Sequence, residues 1–114
     1  MCVIEGDKLR GHLETMVLSV LEKGEAHGLE ILRRLQEAGR GALCLKEGSL
    51  YPALYRLEEA GKIAAVWEDQ PHGRRGARRH IYRLSSKGKR ALTQVRTEWA
   101  SFVQVIGGIV GAPT

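Results

Sequence analysis

The chain has 114 residues, 43% of them hydrophobic and 27% charged, which excludes a disordered tail and suits one folded unit with a modest core. Its net charge of +5 and isoelectric point near 9.6 favour an acidic partner without naming one. Two cysteines, Cys2 and Cys44, make no disulfide framework or metal motif and read as reduced cytosolic thiols. Residues 1–8 are too short and too acidic for a secretory signal. Residues 99–114 carry no charge, but Gln104 and three glycines interrupt them, and the run falls short of the ~18 apolar residues of a membrane span. A cytoplasmic protein without membrane contact is the expectation.

Leu9, Leu13, Met16, Val17, Val20 and Leu21 recur at three- and four-residue steps, predicting an amphipathic helix over 9–23 that Gly24 stops. A second helix is expected over 27–38, with Ile31, Leu32 and Leu35 inward and Glu30, Arg33, Arg34 and Glu37 outward. Residues 42–45 form a short strand or extended link. The third helix is expected over 49–60. Ser49 would be its N-cap and Pro52 its third residue, where a missing N–H costs nothing. Leu50, Leu54 and Leu57 make its buried stripe, and Gly61 ends it.

Residues 63–68 and 79–84 then alternate as paired strands around a Gly-rich tip at 71–77. Within this hairpin, Arg74, Arg75, Arg78 and Arg79 crowd together with no acid among residues 72–79. The last helix is capped by Ser85 or Ser86. Its Leu92, Val95, Trp99, Phe102, Ile106 and Ile109 follow one another at steps of three and four, a heptad seam wider than one small core requires. Gly107, Gly108 and Gly111 each lower helix propensity by roughly 1 kcal/mol relative to Ala, so order is expected to fade beyond Ile106 unless a partner holds that end.

The predicted fold class is mainly α with a two-stranded β wing: a winged helix-turn-helix at 9–84, followed by a dimerisation helix at 85–110. The two parts form one compact domain with mobile residues 1–8 and 111–114. In this layout the third helix enters a DNA groove, with the basic wing at 69–79 alongside it. Lys46, Ser49, Tyr51, Pro52, Tyr55, Arg56, Arg74, Arg75, Arg78 and Arg79 are the candidate DNA-binding residues. Several have a second reading. Ser49 either caps its helix or binds phosphate, and Tyr55 either faces the groove or packs on the second helix. Arg56 either positions the DNA backbone or pairs with Glu59 or Glu37. The arginine cluster is either a phosphate contact or a solvated patch. His27 is a cap or packing group, Trp67 packs the wing, and the four scattered histidines suit no metal. No nucleophile elbow, P-loop or dinucleotide fingerprint is present, so neither an enzyme nor a cofactor is expected.

Gly48-Ser-Leu-Tyr-Pro-Ala-Leu-Tyr-Arg-Leu-Glu58, followed by Gly61, resembles the signature of PadR-type transcriptional regulators. Leu9-Arg-Gly-His-Leu-Glu14, Ala26-His-Gly-Leu-Glu30, Arg78-Arg-His-Ile-Tyr-Arg-Leu-Ser85 and Glu98-Trp-Ala-Ser-Phe102 fit as well, so the likeness covers about 9–106. The single short C-terminal helix looks like the compact branch of that family. Leu29 departs from it, since many relatives are aromatic there. The resemblance implies a homodimeric cytoplasmic repressor acting on double-stranded DNA at an inverted repeat, with the first and last helices building the dimer. Leu9, Leu13, Leu92, Val95, Trp99, Phe102, Val103 and Ile106 are the candidate interface residues. Relatives respond to phenolic acids, to flat hydrophobic drugs, or to no known effector. Trp99 is accordingly either packed dimer core or the wall of a pocket for a small-molecule effector. The competing reading is a winged-helix adaptor for protein or RNA without specific duplex binding.

Overall fold

The computed structural model describes residues 4, 9, 11–68 and 79–111. Leu9 is buried, but the left-handed backbone of Gly11 (φ +83°) interrupts the first helix. Helix α1 therefore spans Leu13–Leu21 rather than 9–23, and it buries Val17, Leu18 and Leu21. Strand β1 (Ala26–His27) leads directly into helix α2 (Gly28–Ala38). His27 is the N-cap of α2, its Nδ1 accepting the Glu30 N–H at 3.2 Å. Ile31 and Leu35 face the core as the periodicity predicts. On the outer face Arg33 bridges Glu30 and Glu37. Arg34 pairs with Glu30 and also donates to the carbonyls of Val20 and Gly24 at the end of α1. Those bonds tie α2 to the last turn of α1 and to the loop that follows it.

Helix α3 spans Glu47–Glu59 with Lys46, not Ser49, at its N-cap, and no side chain caps it. Ser49 and Leu50 both return their N–H groups to the Lys46 carbonyl, so the first turn closes three residues earlier than expected. Pro52 thus lies inside the helix and cannot supply the N–H that Gly48's carbonyl would otherwise receive. The buried stripe of Leu50, Leu54 and Leu57 is as predicted, with Ala53 added.

Strands β2 (Ile63–Trp67) and β3 (His80–Leu84) pair antiparallel in the register Ile63↔Leu84 to Trp67↔His80. The sheet has a third strand that the hairpin pattern did not reveal: β1 pairs with β3 through Ala26↔Tyr82 and His27↔Ile81, giving the order β1-β3-β2. Two residues are too few to show an alternating pattern in sequence. The wing tip, with Arg74, Arg75 and Arg78, lies outside the described residues, as do residues 1–3 and 5–8 and the end of the chain from 112.

Ser85 caps helix α4 (Ser86–Val110), accepting from the Gly88 N–H and donating to the Gly61 carbonyl. The helix continues past Ile106 to Val110, further than its glycines suggested. Leu92 anchors its first turns in the core with α1–α3 and the sheet. Residues 42–45 are an extended link, in which Leu43 forms an isolated parallel bridge with Ile4. Cys44, read as a reduced thiol, is disulfide-bonded; hydrogen bonds from Ile4 to Ala42 and from Cys44 to Ile4 lay Ile4 beside it.

Candidate nucleic-acid interface

With the leucines of α3 turned inward, its other face is left to solvent. Lys46, Ser49, Pro52 and Arg56 are exposed, and Tyr55 is 64% exposed, so it does not pack against α2. Arg56 pairs with neither Glu59 nor Glu37; its Nε donates to Glu14 of α1 at 3.3 Å. Such an exposed pair contributes little to stability. The guanidinium stays at the surface.

Tyr51 is placed by a residue outside its own helix. A Cβ on Gly28 would lie 2.5 Å from the phenolic oxygen, so the ring fits only because α2 begins with glycine. This contact turns the Tyr51 hydroxyl toward a cleft of about 270 Å³ lined by His27, Leu29, Trp67, Arg79, His80 and Tyr82. Arg79, at the wing root, is the one wing arginine among the described residues. Its Nη1 lies 2.9 Å from His27 Nε2, and its carbonyl receives the Glu68 N–H. The Trp67 and His80 rings lie against each other with centroids 4.0 Å apart and planes tilted by 37°. Burial, reinforced by Glu58 and Tyr51, raises the Tyr82 phenol above its ordinary pKa.

His27, Gly28, Trp67 and His80 were not among the site residues predicted from sequence. The β2–β3 hairpin sets Trp67 opposite His80, and the pairing of β1 with β3, which no local pattern marks, brings His27 and Gly28 beside them. Among the described residues no cluster of three or more His, Cys, Asp and Glu could hold a metal ion. No described helix is long and apolar enough to cross a membrane.

A second surface lies along α4. Trp99, Phe102, Val103 and Ile106 are 43–56% exposed, and Ile109 and Val110 more so, an apolar strip larger than scattered surface residues account for. Trp99 stacks on Phe102 with centroids 5.7 Å apart and meets His12 edge-on. Arg96 ties the same helix to α1 through Glu22 at 2.8 Å, holding that carboxylate below its ordinary pKa. Leu9 and Leu92, expected on this seam, are instead buried in the chain's own core, and Leu13 and Val95 are half-buried.

A helix with a buried leucine stripe and an outward tyrosine face, beside a β-wing rooted on arginine, defines a winged helix-turn-helix of the DNA-binding class. The profile of the transcriptional regulator PadR-like family matches residues 17–94, and the chain belongs to that family. It is a family of transcriptional regulators, which implies regulation through DNA binding. A solved transcriptional regulator from Clostridium thermocellum is 31% identical over 95% of this chain and 99% of its own, with a TM-score of 0.83. A PadR family transcription regulator from Clostridium difficile is likewise 31% identical, over 89% of this chain and 100% of its own, with a TM-score of 0.76. An uncharacterised protein of Lysinibacillus sphaericus is 30% identical over 91% of this chain and 93% of its own.

Proposed function

We propose that this regulator is a homodimeric cytoplasmic repressor that binds an inverted-repeat operator through α3 and the wing at 69–79. The observation that carries the proposal is the outward face of α3. Tyr51, Tyr55 and Arg56 stand on the side opposite Leu50, Leu54 and Leu57, and the wing root at Arg79 shares a cleft with Tyr51. The start of α3 enters the major groove, where the exposed first turn and Ser49 approach phosphate and Tyr51 and Tyr55 meet backbone or base edges. Lys46 and Arg56 position the backbone. Arg74, Arg75, Arg78 and Arg79 supply affinity through phosphate contacts, or sense the width of the minor groove.

The apolar strip of α4 supports a dimer in which Trp99, Phe102, Val103 and Ile106 meet their two-fold copies. Stacked Trp99 and Phe102 favour a small aromatic or hydrophobic effector at that seam.

The test is fluorescence anisotropy with duplex from the chain's own upstream region and with random duplex, at physiological salt, together with sedimentation. Preference for the upstream duplex by at least about a thousandfold, from a dimer, is the expected result. Equal affinity for both duplexes would favour the adaptor reading instead.

A further inference from the structure

The first turn of α2 carries a large apolar side chain that the core does not use. Ile31 and Leu35 of the same helix are buried, whereas Leu29 is 46% exposed. It does not stand alone at the surface. Leu29, Tyr51 and Trp67 line the same cleft, and Gly28, its neighbour in the chain, lies against the Tyr51 ring. The starts of α2 and α3 thus share one outward surface, on which a leucine stands beside the exposed tyrosines. A leucine side chain neither donates nor accepts a hydrogen bond, so it contributes nothing to holding a phosphate. Among the groups that base edges present in the major groove, the C5 methyl of thymine is the apolar one.

We infer that Leu29 is a specificity-determining residue that packs against the C5 methyl of a thymine in the major groove, beside the contact made by Tyr51. The inference rests on the DNA-binding reading above and adds a base that α2 reads. With the start of α3 in the groove, the first turn of α2 stands over the groove edge. Leu29 is the side chain there that meets a base and not the backbone. Covering one methyl is worth roughly a fourfold change in affinity. Because no charge is exchanged, the contact selects sequence without altering the response to salt.

Anisotropy titrations would compare the upstream duplex with the same duplex in which deoxyuridine replaces every thymine. That exchange removes the C5 methyls and keeps the base pairing. Leu29→Ala puts the best helix former at an exposed position, so its thermal melting should match wild type. It should bind the thymine duplex at least about fourfold more weakly than wild type does. On passing to deoxyuridine, its further loss should be smaller than that of wild type by the same factor. Leu29→Met keeps an apolar side chain of similar reach and should retain the dependence on the methyl. All three proteins should show the same slope of log K against log salt.

If wild type binds the upstream duplex but loses no more on deoxyuridine than Leu29→Ala does, the methyl contact is overturned and the DNA-binding reading stands. A salt slope flattened by Leu29→Ala would place the effect of this residue on phosphate contacts and overturn the contact as well. If wild type binds no duplex, both readings fall.

Discussion

Two glycines show how single residues set the geometry around the interface. Gly28 leaves the space that Tyr51's ring occupies, whereas Gly88 lets α4 pass the β2 entrance, where an added Cβ would lie 1.9 Å from the Lys62 carbonyl oxygen. The two obstacles differ in kind. A tyrosine ring can rotate away, but a backbone carbonyl at the junction of α3 and the sheet cannot. Gly88→Ala is therefore expected to cost about 2–3 kcal/mol, read as a lower urea midpoint with an unchanged m-value. Gly28→Ala should cost less than half of that while displacing Tyr51, so its main effect is weaker duplex binding by anisotropy. Comparable losses of stability in the two variants would contradict this contrast.

At the scale of elements, α2 carries the charged network and α3 the exposed tyrosine face. Hydrogen bonds from Arg33 and Arg34 hold the Glu30 carboxyl at about 2, below its ordinary 4.5. A depressed folded-state pKa adds stability that is fully present above about 4.5 and lost as pH falls toward about 2. Ellipticity should thus decline through that window, and Glu30→Gln should make the decline shallower; the exposure of the network keeps the effect small. The wing acts on a different quantity. Replacing Arg74 and Arg75 with alanine should flatten the salt dependence of binding by about one to two units. An unchanged slope would remove the wing tip from the contact.

For the whole molecule, the strip on α4 is the feature that a single chain leaves uncovered. At 25 residues and about 1.5 Å per residue, the helix runs well past the core to which Leu92 anchors it. Phe102→Asp places a charge in the proposed seam, so sedimentation should report a monomer with native ellipticity. Its affinity for an inverted repeat should fall by about a hundredfold or more, because two linked half-site contacts become independent. A variant that stays dimeric would move the interface elsewhere.

The sequence alone determined what short-range periodicity encodes: the helical identity of α1–α4, the leucine stripe of α3, the β2–β3 hairpin and the signature at 48–58. From that stripe followed the exposure of Tyr51, Tyr55 and Arg56, since in a helix burial of one face settles the other. The tertiary structure decided what depends on distant partners. The start of α3 at Glu47, the third strand and the partnership of Arg56 with Glu14 all turn on packing between elements. His27 and Arg79 are 52 residues apart in the chain, and neither belongs to a repeating pattern. Only the pairing of β1 with β3 brings them together, because a sheet joins residues by register rather than by nearness in sequence.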